Sequence, residues 1–306
     1  MGEGLRDERL GDGPVCVLYG ERGGRYPSGN SLLIEGERES ALVDASLAVA
    51  PRRDRLPPPA RLLHSHCHED HVAGSHLFPE VPWHFHELDA PGIRSLEAML
   101  EIYGLPGEIE AGFRELLLRR FHFRPRPDPA VFRDGDVFDL GGVAVEVVHT
   151  PGHTRGHSCF HVRWPADGGG ALYLGDIDLS SFGPYYGDAW SNLDDFERSL
   201  ERVRAIEARW YVTFHHIGVL DRASFRERLD RYAAVIAKRE ERLLAYLDAP
   251  RSLDDIVRHR FVYRPGDEVP IADPVERRSM SQHLERLVAG GRVEALAGGR
   301  YRRSDA

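Results

Sequence analysis

The chain has 306 residues, 42% hydrophobic and 29% charged, with a formal net charge of -9. That is the balance of a globular protein with room for two domains, and its acidity argues against free nucleic acid as the main partner. No apolar run approaches the ~20 residues of a membrane span. Three cysteines, Cys16, Cys67 and Cys159, make no even disulfide framework. With a charged, glycine-rich leader over residues 1–13 and no secretory apolar segment, the expectation is a cytoplasmic protein without a membrane.

In chain order, residues 15–19, 30–35 and 41–46 are apolar runs between polar turns and predict a three-stranded meander. The third run contains the carboxylate of Asp44. Pro57, Pro58 and Pro59 stiffen the approach to a short strand at 60–63. Then comes His64-Ser65-His66-Cys67-His68-Glu69-Asp70-His71. Within it His66, His68, Asp70 and His71 form the pattern H-x-H-x-D-H. On extended backbone, residues i and i+2 project to the same side. His66 and His68 can therefore reach one cation. Asp70 and His71, where the chain turns toward a helix, can face a second. Imidazole and carboxylate are ordinary ligands for zinc and non-haem iron. Cys67 and Glu69 alternate away. A second H-x-H, His84 and His86 on a predicted strand at 81–87, lacks a third ligand and reads as structural.

Helical apolar spacing returns at 93–103 and 109–121, broken by Gly104-Leu105-Pro106-Gly107, so that a helical insertion occupies about 90–129. Met99, Tyr103, Phe113 and Phe121 line a cleft or form the helices' own core. Strands resume at 131–148 and at 171–176, the latter ending in Gly175-Asp176. A glycine-rich loop follows, with Tyr185 and Tyr186, then a helix at 193–206 and a strand at 210–214 that runs into His215-His216. Beyond 221 come a charged helix at 224–247, a serine-capped helix from Ser252, a helix at 274–290 and a hairpin turned by Gly298-Gly299. Arg277, Arg278, Arg286, Arg300, Arg302 and Arg303 offer a nucleic-acid face, though a solvated face used for packing or homodimer formation is favoured.

Together with the run Thr150-Pro151-Gly152-His153-Thr154-Arg155-Gly156-His157-Ser158, the H-x-H-x-D-H stretch resembles the signature of the metallo-β-lactamase superfamily, and within it the zinc hydrolase, glyoxalase II-like branch. The resemblance covers about 15–219. It implies an α+β fold: an αββα sandwich at 1–220 carrying the insertion, then a winged-helix-like domain at 221–306. It implies two Zn2+ per chain, with iron or manganese as alternatives. His66, His68 and His153 would hold the first ion, Asp70, His71 and His216 the second, and Asp176 would bridge. A gap-free alignment selects His216, with His215 as its rival. Asp44 would support the metal loop, His157 would make hydrogen bonds behind the ligands, and Tyr103, Tyr185 and Tyr186 are candidate substrate contacts.

The chemistry implied is hydrolysis of an ester, thioester or related small molecule. Two cations roughly 3.5–4 Å apart acidify a bridging water, and Asp70 orients the hydroxide and takes its proton. Two other classes share these features: a mononuclear iron dioxygenase of the persulfide type, and a phosphodiesterase or endoribonuclease holding RNA with its tail.

Overall fold

A computed structural model of the chain describes residues 6–165 and 170–304. The first sheet takes β1 (Asp7–Arg9), β2 (Val15–Leu18), β3 (Ser31–Glu35), β4 (Ser40–Val43), β5 (Arg61–Leu63), β6 (Trp83–His86) and β7 (Ala130–Phe132) in sequence order. Pairing is antiparallel as far as β4 and parallel from there to β7. The second sheet runs β13-β12-β11-β10-β9-β8, formed by β8 (Val137–Asp139), β9 (Ala144–His149), β10 (Ser158–Arg163), β11 (Ala171–Tyr173), β12 (Trp210–Val212) and β13 (Val219–Leu220).

The period-2 alternation of the strands sorts side chains between layers. On β3, Leu32 and Ile34 point between the sheets, where they join Val17, Val43, Val147, Phe160, Tyr173 and Phe214. Leu33 points outward, to a layer built by the helical insertion. That insertion contains α3 (Leu96–Tyr103) and α4 (Gly107–Arg119), preceded in the chain by the one-turn helices α1 (Glu21–Gly24) and α2 (Glu69–Val72). Met99 and Phe113 are buried within this layer, as the helices' own core. On the far side, α5 (Leu193–Ala205) and the first half of α6 (Arg222–Tyr246) bury Phe196, Leu200, Phe225, Leu229 and Tyr232 against the second sheet. The result is four layers, α/β/β/α, each buried Leu or Phe contributing roughly 1.5–3 kcal/mol.

Two local features depart from expectation. The leader is not loose at residues 7–9: β1 pairs with β2, and the buried Arg52 reaches Asp7 at 2.6 Å. The sandwich core also continues past residue 220. The N-terminal half of α6 packs on the second sheet, and its C-terminal residues Leu243, Leu244 and Tyr246, with Leu247 just beyond, join the tail's own cluster.

That cluster is completed by α7 (Leu253–His259), α8 (Ala272–Ala289) and a small sheet of β14 (Arg251–Ser252), β15 (Val293–Leu296) and β16 (Arg300–Arg303). Ser252 and Asp255 form a reciprocal capping box at the start of α7. Ser252→Ala is expected to lower the tail's unfolding free energy by about 1 kcal/mol, read as earlier hydrogen exchange in α7 with the sandwich unaffected. Among the described residues no helix is long and apolar enough to cross a membrane.

Candidate metal centre

The H-x-H-x-D-H stretch begins where β5 ends at the edge of the sandwich, and α2 starts at Glu69. His66, His68, Asp70 and His71 are all buried. Asp44 lies beneath them. It follows β4 with φ of 44°, a left-handed conformation that aspartate tolerates better than most residues. Its carboxylate accepts from Ser65 N at 2.7 Å, from Ser65 Oγ at 2.6 Å and from Tyr173 Oη at 2.8 Å, and stands 2.8 Å from His71 Nδ1. One buried acid thus fixes both the loop backbone and the ring orientation of His71.

The second sheet delivers the remaining groups. Gly175 takes φ of 53° in the turn after β11, and a Cβ there would stand 2.6 Å from His157 Nε2. Glycine at this position lets His157 accept from Asp176 N at 3.1 Å. Asp176 is held between two imidazoles, with Oδ1 3.0 Å from His71 Nε2 and Oδ2 3.2 Å from His153 Nε2. His153 Nε2 in turn lies 3.0 Å from His68 Nδ1. Potential ligand atoms fall into two groups, His66, His68, His153 and Asp176 on one side and Asp70, His71 and His215 on the other; within each group all lie within 4.8 Å of one another.

The last histidine differs from the gap-free expectation. His215 Nε2 is 3.0 Å from Asp70 Oδ2 and 3.8 Å from Asp176 Oδ1, and its Nδ1 is 2.8 Å from the Gly24 carbonyl. His216 takes φ of 65°, its side chain is 39% exposed, and its nearest acid is Asp178 at 3.9 Å. The cause is the turn between Thr213 and Gly218. Thr213 Oγ1 bonds the His215 carbonyl and the Gly218 amide, folding the chain so that the first histidine faces inward and the second faces out.

The tyrosines divide as well. Tyr103 stacks on His68 with centroids 4.9 Å apart and donates to Glu69. Tyr185 borders the centre, its carbonyl 3.0 Å from His153 Nδ1 and its hydroxyl donating to Asp188 at 2.9 Å. Tyr186 is not a cleft residue: it is buried against the tail, its hydroxyl 2.8 Å from His283 Nε2 and bonded by Arg239. His84 and His86 lie outside the centre, His86 stacked on His149 at 3.9 Å.

Three contributors carried no sequence signal. Asp188 Oδ2 stands 3.2 Å from His68 Nε2. Glu69, instead of turning idly away, accepts from Tyr26 at 2.9 Å as well as from Tyr103. Asp89 ties down the third motif, accepting from Thr154 Oγ1 and Gly156 N, both at 2.6 Å.

The donor set fits cations. His66 Nε2 is buried and has no hydrogen-bond partner among the described residues. Burial, reinforced by the imidazoles of His71, His68 and His153, pushes the His66 pKa well below its ordinary value, which leaves a neutral ring with a lone pair. Burial also opposes charging of His215, but Asp176 and Asp70 outweigh it and carry that ring up to about 9. Asp176 is held far below the usual carboxylate range because His71 and His215 outweigh its own burial. Buried acids crowded at this density call for positive charge. Imidazole nitrogen and carboxylate oxygen are donors that zinc, manganese and iron accept, and a bound cation would take the place of the protons that His215 and His71 carry without one.

Several known proteins are similar to this chain. Rv2581c of Mycobacterium tuberculosis is 35% identical over 113 residues, which is 36% of this chain and 46% of that protein, so the match spans about half of the relative's length. A chicken (Gallus gallus) protein named acyl-coenzyme A thioesterase MBLAC2 is 28% identical over 211 residues, covering 61% of this chain and 72% of that one. The crystal structure of the metallo-beta-lactamase family protein TTHA1429 from Thermus thermophilus superposes with a TM-score of 0.71 at 26% identity, over 95% of this chain and 99% of that one. The metallo-beta-lactamase superfamily profile matches residues 25–216, and the chain belongs to that superfamily.

Proposed function

We propose that the chain is a metal-dependent hydrolase acting on thioesters of small acyl groups. The observation that carries this reading is the pair of ligand groups meeting at one carboxylate, Asp176, with Tyr103 and Tyr185 against the histidines. The thioesterase name of the chicken relative favours thioester over other carbonyl substrates.

In this reading His66, His68 and His153 would hold one ion and Asp70, His71 and His215 a second, with Asp176 between the two groups. Two Zn2+ are proposed, since the set keeps histidine at position 68 and offers nitrogen and oxygen donors only. Ions held there would supply Lewis acidity and a water acidified toward neutral pH. Asp70, near the junction of the two groups, takes the water's proton as the oxygen bonds to the carbonyl carbon. The C–S bond breaks and the proton passes to the departing sulfur, giving a carboxylic acid and a thiol. Glu69 does not act on the substrate; it anchors Tyr26 and Tyr103 as walls.

The nucleic-acid alternative loses ground at the tail. Arg277 is paired with Asp254, Arg286 with Asp194 and Glu197, and Arg302 with Glu294, while Arg278 bonds carbonyls of the sandwich. The tail, winged-helix-like in this reading, serves as support.

Metal analysis and a substrate screen test the proposal together. Protein stripped with a chelator is expected to lose thioesterase activity, to unfold several degrees earlier and to regain both properties with added Zn2+. One iron per chain with oxygen consumption, or activity that survives complete stripping, would sink it.

A further inference from the structure

One pocket lies outside the metal centre but shares two of its loops. It encloses about 550 Å3 between the sandwich and the tail. One wall starts at Arg25, the residue after Gly24, whose carbonyl meets His215. Another is the loop of Ser181 and Phe182, which continues to Tyr185 and Asp188 beside His153 and His68.

The pocket is cationic in an acidic protein. Arg25, Lys238, Arg239, Arg242 and Arg264 line it against a single carboxylate, Asp267. Among the described residues none of the five forms an ion pair with an acid. That sets them apart from Arg277, Arg286 and Arg302, each of which is paired with an acid. Arg239 is the most telling. It is 2% exposed, and its donors reach only neutral oxygens: the carbonyls of Pro184 and Phe182 and the hydroxyl of Tyr186. Its face lies over the rings of Phe182 and Tyr186, at 5.6 and 5.3 Å, so it keeps its charge without a counter-ion, and an anion held by the exposed cations in front of it would offset part of the cost of burying that charge.

The remaining lining suits a ring. Phe182, 37% exposed, meets Tyr263 edge to face at 5.6 Å. The backbone carrying Tyr263 is fixed from behind, with the amides of Phe261, Val262 and Tyr263 all donating to the buried carboxylate of Glu276. The exposed Arg25, Lys238 and Arg264 beside Phe182 and the half-buried Tyr263 match a phosphorylated nucleotide, its phosphates on those cations and its base against an aromatic ring.

We propose that this pocket binds the phosphorylated adenosine end of an acyl-coenzyme A, with the thioester at the other end of the molecule reaching the metal centre along the loop of residues 181–188. This rests on the thioesterase reading above. It adds a recognition site for the carrier, remote from the reacting carbonyl, which spends binding energy on residues that take no part in bond cleavage.

The test compares two thioesters of one acyl group in the zinc-loaded full chain: butyryl-coenzyme A, and S-butyryl-N-acetylcysteamine, which lacks the nucleotide. The variant is Lys238→Glu with Arg264→Glu, both exposed residues. The variant is expected to lose on the order of tenfold or more in kcat/KM for butyryl-coenzyme A, through KM, and nothing for the truncated thioester. Calorimetry with adenosine 3′,5′-bisphosphate supplies a readout independent of turnover: binding to the parent, none to the variant. Equal effects on both thioesters, no effect on either, or no bisphosphate binding would overturn the assignment. So would a short oligoribonucleotide that displaces the bisphosphate and binds more tightly. If the parent cleaves neither thioester, the hydrolase reading fails while calorimetry still decides what the pocket holds.

Discussion

His215→Ala is expected to lower kcat/KM by about a hundredfold or more and, in the two-ion reading proposed above, to cost one metal equivalent, while His216→Ala keeps the parent's metal content and stays within about threefold of its kcat/KM. The two residues are adjacent, share a side chain and differ only in which way the turn presents them. His215 has its Nδ1 against the Gly24 carbonyl at 2.8 Å, which leaves Nε2 to face Asp70 and Asp176. His216 is half-buried near Asp178 and has no such backbone clamp. Metal content of the purified variants and steady-state kinetics on one thioester decide the matter. Equal losses in the two variants would mean that the turn, rather than one ring, is what matters, and the ligand assignment would fall.

Asp44→Ala should be the most destabilising change near the centre, about 3–5 kcal/mol in metal-free protein. Asp44 is fully buried, and its carboxylate engages Ser65 twice, Tyr173 and His71. His71, despite burial, is held well above its ordinary pKa by Asp176 and Asp44, while Asp44, despite its own burial, is drawn down by His71. Removing the acid leaves that imidazole charged without half of its compensation and strands a backbone amide. Urea unfolding of chelated parent and variant, with the slope checked for two-state behaviour, measures the difference. A loss under about 1 kcal/mol would show that the loop stands without this support. The sign of the pH effect follows from the directions. The depressed Asp44 carboxyl contributes stability that is present above its unfolded pKa and lost as pH falls through the lower folded value. The raised His71 contributes stability that is present below its unfolded pKa and lost as pH rises through the higher folded one.

Much of this was legible in the chain because the information is local. H-x-H-x-D-H brings four side chains together through two extended residues and one turn of helix, so spacing alone carries most of the geometry. The strands announced themselves as apolar runs between polar turns, as at Leu32, Leu33 and Ile34, and the two-residue period of a strand then decides which layer each side chain joins. What escaped was non-local or depended on a single dihedral angle. His215 and His216 are indistinguishable until the turn held by Thr213 is known. Tyr186 sits beside Tyr185 yet faces His283, which is 97 residues away. Asp188 meets His68 from beyond the third motif, and nothing in its own loop marks it. Residues 7–9 looked like a charged leader because edge strands can be short and polar and still pair.

Arg278 has a wider reach than its exposed neighbours. From α8 it bonds the carbonyls of Tyr103 and Gly104, closing the C-terminus of α3, the helix whose last residue stacks on His68. The tail is therefore a buttress and not an appendage. A fragment cut at residue 220 would lose the brace on one rim of its own reaction chamber, together with the half of α6 that seals the second sheet. The front of this chain cannot be harvested as a free-standing cassette; anyone wishing to transplant its metal centre must carry the back of the chain along with it.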